Sequence, residues 1–327
     1  MSADATYTNP VSNISDGNRP IHLGDPFVMR HEGIYYLYGT TDELEGFRYY
    51  TSRDLVHWEQ HGWVWRKSPY SWAESRFWAP EVKFYRGRFY LTYSGKLRAS
   101  KPARMLMGIA VADSPTGPFH DYRAPWFDLG YNTIDSHLLI DDDMTPYLYF
   151  SQNGHQDGYD FGRIFGARLT NDLAKLDGEP KLLLNASQPW EHANWQYNRT
   201  NEGPFVIKHG GVYYMMYSGN STFEAHYGIG YATARRPLNK WTKNRANPIA
   251  TSNPELGVSS PGHNSVVESP DGSELFCVYH THADPTRMGG DRVVNIDRLT
   301  IDGQGRLRMQ GPTRMPQPMP SGAPVSE

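Results

Sequence analysis

A single cysteine, Cys277, stands among 327 residues, so no internal disulfide can staple the chain. No apolar run approaches the ~18 residues that a membrane-spanning helix needs. Basic residues do not cluster: the net charge is −3 and Arg235-Arg236 beside Pro237 is the largest basic group, so nucleic acid and membrane surfaces are not expected partners. The start, Met1-Ser2-Ala3-Asp4-Ala5, has neither the basic residues nor the apolar core of a secretory signal. Together with the lone cysteine, this predicts a cytoplasmic protein. Strong helical periodicity is missing too, and no Asp-rich calcium loop is visible, since Asp141-Asp142-Asp143 reads as a solvated turn.

What the chain does have is turns and aromatic rings. Its 31 Gly and 24 Pro are spread along the whole length, as many short connections require, and do not form one flexible linker. Only 38% of residues are hydrophobic, yet 13% are aromatic, which suits short strands packed face to face with rings to spare for a polar ligand. Five aromatic strands each follow a tight turn: Ile34-Tyr35-Tyr36-Leu37-Tyr38, Phe89-Tyr90-Leu91-Thr92-Tyr93, Tyr147-Leu148-Tyr149-Phe150, Val212-Tyr213-Tyr214-Met215-Met216-Tyr217 and Leu275-Phe276-Cys277-Val278-Tyr279. Third strands are expected at 108–112, 163–167 and 228–232, and fourth strands near Trp58, Phe119 and Trp241. A repeat of roughly 55 to 65 residues built from four strands predicts an all-β chain, a five-bladed β-propeller in one domain. The propeller is expected over residues 21–311, with 1–20 as an arm that packs against or closes the ring and 312–327 as a loose tail.

Ahead of each aromatic strand lies a segment of another kind: Gly24-Asp25-Pro26, Trp78-Ala79-Pro80-Glu81, Ile134-Asp135-Ser136, Asn201-Glu202-Gly203-Pro204 and Pro261-Gly262-His263-Asn264. Asp25, Glu81, Asp135, Glu202 and His263 thus fall at matching points of the repeat. In a closed ring they converge, and like-charged carboxyls forced together raise one another's pKa. Two carboxyl groups in different protonation states are what cleavage of a glycosidic bond requires. The plainer readings are an Asx-Pro turn at Asp25 and a strand-end backbone contact at Asp135.

The order Asp-Pro, Trp-Ala-Pro-Glu, Ile-Asp, Glu-Gly-Pro and Gly-His-Asn-Ser resembles glycoside hydrolase family 43 over about residues 20–305. That resemblance implies a five-bladed propeller acting on arabinose- and xylose-containing glycans with inversion. It implies Asp25 as general base, Glu202 as general acid, and Asp135 as the carboxylate that orients the acid and keeps its pKa raised. Ile134-Asp135-Ser136 departs from the family's Ile-Asp-Pro but keeps the carboxylate. Trp78 and Phe77 are expected at the sugar, with Arg292 reaching it from the last blade. Glu81 matches no proton-transfer role and is expected as a supporting residue beside Arg292. His263 falls where the family places a histidine near a metal, so the resemblance implies a structural calcium in the channel and no required cofactor.

The reading is an exo-acting, inverting glycosidase that releases α-L-arabinofuranose or β-D-xylose from plant cell-wall oligosaccharides. Endo-α-1,5-L-arabinanase and galactofuranosidase are alternatives on the same fold. A non-catalytic carbohydrate-binding propeller is the alternative of another class, and it predicts that one of the three carboxylates should be missing. None is.

Overall fold

The computed structural model describes residues 5–324. Twenty strands form five antiparallel sheets of four, arranged as the blades of a propeller. Blade 1 comprises Gly24–His31, Ile34–Thr40, Gly46–Ser52 and His57–Arg66, from the channel outward. Blade 2 comprises Ala73–Tyr85, Arg88–Leu97, Met105–Ala112 and His120–Arg123. Blade 3 comprises Asn132–Ile140, Pro146–Gln156, Tyr159–Arg168 and Lys181–Asn185, and blade 4 Asn198–His209, Val212–Gly219, Gly228–Ala234 and Thr242–Lys243. Blade 5 comprises Gly262–Glu268, Leu275–His282, Arg292–Ile301 and Leu307–Met309. Blades 3 and 4 are stitched by a short parallel pairing, Asp160↔Asn198 to Gly162↔Thr200. The aromatic strands are the second strands of their blades, and rings such as Tyr38, Tyr93, Tyr149, Tyr217 and Tyr279 are fully buried between sheets. Burial of that apolar area holds the blades face to face.

Each inner strand breaks register at the same point. The pairing jumps from Gly24 to Phe27, Trp78 to Glu81, Ile134 to His137, Glu202 to Phe205 and Gly262 to Ser265. These are β-bulges, one extra residue against the partner strand. The second residue of every bulge has a positive φ: Asp25 54°, Ala79 45°, Asp135 56°, Gly203 58° and His263 47°. For a residue with a Cβ, such backbone costs about 1–3 kcal/mol and persists only where its surroundings enforce it.

The enforcement comes from the preceding blade. The bulge N–H groups of Ala79, Asp135, Gly203 and His263 donate to Thr40 Oγ1 (2.9 Å), Ser94 Oγ (3.1 Å), Ser151 Oγ (3.2 Å) and Ser218 Oγ (2.8 Å). Asp25 N–H closes the circle by donating to His280 Nδ1 at 3.1 Å. Every acceptor occupies one equivalent position on a second strand, directly opposite the residue that opens its own blade's bulge. Matching bulges thus become a ring of interblade hydrogen bonds around the channel mouth.

Blades 5 and 1 are joined by the arm. Val11 N–H donates to Val294 O (3.0 Å) and Val294 N–H to Ile21 O (3.2 Å), while Ser12 N–H reaches Val56 O (3.2 Å). The Asn9 amide pairs with Ile296 in both directions. The stretch after Pro312, expected to be loose, carries ordered bonds as far as it is described: Thr313 N–H to Asp297, Arg314 to Asn295, and a pairing of Tyr7 with Gln317. Residues 325–327 of that stretch lie outside the described residues.

Ser94 is fully buried, and Ser94→Ala leaves the Asp135 N–H without its acceptor. We expect a loss of about 1–3 kcal/mol, read as a lower urea midpoint at unchanged m-value. A midpoint equal to wild type would show that this bond does not hold the bulge.

Candidate active site

The bulges aim a set of side chains at one cavity of about 200 Å³ on the ring axis, lined by Asp25, Trp78, Asp135, Glu202, Phe223, Tyr227, His263 and Arg292 among others. Asp25, Asp135 and His263 enter from the positive-φ position of blades 1, 3 and 5. Glu202 enters from one residue earlier, with the turn itself falling on Gly203. The common register expected for the acidic residues is therefore corrected: Glu202 is one position early, and Glu81 two positions late.

Asp25 is surrounded by donors. Arg292 Nη1 lies 2.6 Å from Oδ1, His263 Nδ1 lies 3.2 Å from the same oxygen, and the Thr40 hydroxyl donates to Oδ2 at 2.6 Å. Burial opposes ionisation, but the Arg292 guanidinium above all, with the His263 and Thr40 contacts, outweighs it. The carboxyl is held well below its usual range. His280 accepts the Asp25 N–H at Nδ1, so that nitrogen carries no proton; burial, then the Arg292 charge, keep the ring neutral.

Glu202 is tuned the other way. Burial lifts its pKa to about 7 and the Asp25 charge adds to the rise, against the pull of the Tyr227 hydroxyl, which donates to Oε1 at 2.8 Å, and of Arg292. Burial also raises Asp135, and the charges of Glu202 and Asp25 raise it further, although the Gly203 N–H donates to its Oδ2 at 3.3 Å. Glu202 and Asp135 thus resist ionising together, while Asp25 ionises readily. One cavity holds a proton acceptor and a proton donor at neutral pH.

Two glycines make room for this arrangement. A Cβ on Gly24 would lie 2.0 Å from Arg292 Cζ, and one on Gly262 would lie 2.0 Å from the Tyr227 ring. Tyr227, Thr40 and His280 carry no motif that sequence inspection would pick out. Their one readable signal is the repeat itself, since Thr40 and His280 stand where Ser94, Ser151 and Ser218 stand in the other blades.

Two expected contacts require correction. Phe77 is fully buried among Phe47, Trp65 and Tyr93 rather than at the cavity, because its neighbour Trp78 takes the channel side of the strand. Glu81 accepts from His137 Nδ1 at 2.8 Å, below the cavity, and so leaves His137 Nε2 to accept the Val206 N–H at 3.1 Å. It does not pair with Arg292 among the described residues. His263 sits against Asp25, and among the described residues no group of three or more His, Cys, Asp or Glu side chains is placed to hold a metal ion.

The family model for glycosyl hydrolases family 43 matches residues 7–307. A solved structure of a thermostable family-43 glycoside hydrolase is 45% identical with a TM-score of 0.90, covering 96% of this chain and 99% of that one. A β-D-galactofuranosidase of Aspergillus niger is 28% identical over 324 residues, covering 90% of this chain and 85% of its own. Two relatives named extracellular exo-α-(1→5)-L-arabinofuranosidase come from Streptomyces avermitilis (25% identical, 85% of this chain) and Streptomyces chartreusis (26%, 84% of this chain). This chain spans 57% of the former's length and 82% of the latter's. Those names overturn the cytoplasmic expectation and point to secretion. The lone Cys277 is fully buried and forms no internal disulfide in any compartment, so it never bore on location.

Gly24→Ala puts a methyl group where the Arg292 guanidinium lies, while replacing no ionisable side chain. Displacing Arg292 from Asp25 by an ångström should lower kcat/KM on the order of 100-fold while the far-UV spectrum and Tm stay near wild type. Unchanged turnover would show that Arg292 is not needed where it stands.

Proposed function

The chain belongs to glycosyl hydrolases family 43, and from that membership we propose that it is an exo-acting, inverting glycosidase releasing α-L-arabinofuranose or β-D-xylose from short oligosaccharides. Asp25 removes a proton from water, and Glu202 gives a proton to the departing oxygen. Asp135 orients Glu202 and resists ionising together with it. The observation that carries the reading is the opposed tuning of two carboxyls at one cavity, Asp25 low and Glu202 lifted to about 7.

Water attacking the anomeric carbon must lose a proton as its bond to carbon forms. The Asp25 carboxylate takes that proton, and the Arg292 and Thr40 contacts hold the carboxylate in position through the step. On the opposite face the glycosidic oxygen leaves with the proton of Glu202. Each turnover thus moves one proton onto Asp25 and one off Glu202, and solvent restores both. Release of single sugars rather than cleavage within a chain is the reading that the exo-acting names of the two Streptomyces relatives favour. Trp78, lining the cavity from blade 2, offers an apolar face to the sugar. Turnover is assigned to side chains alone. A galactofuranosidase reading draws on the Aspergillus niger relative.

Nitrophenyl α-L-arabinofuranoside, β-D-xyloside and β-D-galactofuranoside separate the sugars directly. Asp25→Asn should abolish turnover of all of them, whereas Glu202→Gln should spare aryl leaving groups and lose natural ones by on the order of 100-fold or more. Equal losses on both kinds of leaving group would exchange or cancel the two roles. The pH profile follows from the signs. Activity needs Glu202 protonated, so kcat/KM should fall as pH rises through about 7. No acid limb is expected in the ordinary carboxylate range, because Asp25 stays ionised there.

A further inference from the structure

A lone exposed aromatic residue on a protein surface calls for no explanation, and Tyr70, 95% exposed, is one. Phe223 differs. It is 65% exposed, yet it lines the cavity that holds Asp25 and Glu202. An open apolar ring beside carboxyl groups in a cavity is costly to leave wet and serves a ligand with an apolar face.

Its backbone is fixed. The carbonyl of Thr222 accepts from Ser260 Oγ (3.2 Å) and lies 2.8 Å from His282 Nε2, and the Thr222 hydroxyl lies 3.3 Å from His280 Nε2. On the other side, Phe223 N–H donates to Ser221 Oγ (3.3 Å), Glu224 N–H to Ser221 O (3.0 Å), and the Asn194 amide holds the Glu224 carboxylate. The ring is therefore presented by a braced loop rather than a wandering one.

Position decides which part of the substrate meets it. The loop 220–227 leaves blade 4, the blade of Glu202, and also supplies the Tyr227 hydroxyl to that carboxyl. A general acid must touch the oxygen that departs, so the departing group lies toward this loop. Trp78 and Glu43 line the cavity from blades 2 and 1, which face blade 4 across a five-membered ring. We propose that Phe223 is a specificity-determining residue: a platform on which the ring of a sugar leaving group stacks, selecting saccharide over small-alcohol leaving groups. The inference rests on the proposed hydrolase reading for its directionality.

The test compares a disaccharide of the released sugar with the methyl glycoside of the same sugar. Phe223→Ala should lower kcat/KM on the disaccharide by about tenfold and leave the methyl glycoside within about twofold, and Phe223→Trp should restore the disaccharide rate. Equal losses on both substrates, or no loss on the disaccharide, would overturn the platform. If the wild-type protein cleaves neither substrate, the hydrolase reading falls by itself. Calorimetry then still decides: in a Glu202→Gln background, adding Phe223→Ala should weaken disaccharide binding about tenfold while leaving monosaccharide binding unchanged. Equal affinities with and without the ring would dismiss it.

Discussion

A peptide N–H turned out of its own strand and received by the blade before it is the contact on which the channel mouth depends. Five inner strands would otherwise run straight, with alternate side chains facing the channel. The bulge diverts each strand, and the positive φ that follows is unfavourable for Asp25, Ala79, Asp135 and His263. Thr40, Ser94, Ser151, Ser218 and His280 compensate by giving the freed donor a partner. Fold and site are therefore not separate achievements of the sequence. The distortion that aims the carboxylates is the same one that ties neighbouring blades together.

The electrostatics grow from that geometry. Thr40 receives the Ala79 N–H and donates to Asp25 Oδ2, so one hydroxyl serves both a blade junction and a carboxylate. Asp25 collects a guanidinium and an imidazole that blade 5 delivers, whereas Glu202 receives one phenol. Two carboxyls in one cavity diverge because only one is given a cation of its own. Gly24 and Gly262 permit the divergence by leaving the volume that Arg292 and Tyr227 fill.

Much of this is legible in the order of residues alone, for identifiable reasons. The aromatic second strands announce themselves because interblade packing demands large rings at a fixed interval, and the arrangement of Asp25, Asp135 and Glu202 follows from the repeat they sit in. The one-residue offset of Glu202 is hidden, since a bulge alters pairing without altering composition. The same bulge obscures the roles of Phe77 and Trp78: two adjacent aromatic residues look alike in sequence, and only the local twist decides which faces the channel. Glu81 looks like one more acid, but its distance beyond the turn carries it down to His137. Tyr227 and Phe223 are invisible because they lie in a loop whose shape is set by distant partners, Ser260, His280 and His282. The cytoplasmic expectation rested on features that carry no address.

The circle of N–H donors also has a seam, and it falls at Asp25. Four of its bonds join a blade to the one synthesised just before it, so each can form as the nascent chain lengthens. The fifth reaches forward, from Asp25 to His280, 255 positions later, and Arg292 arrives 267 positions after Asp25. The first acidic residue of the cavity to leave the ribosome is thus the last to acquire its surroundings. Until blade 5 docks, the chain carries a carboxylate without its cation, and the filled cavity marks the completed circle rather than any arc of it.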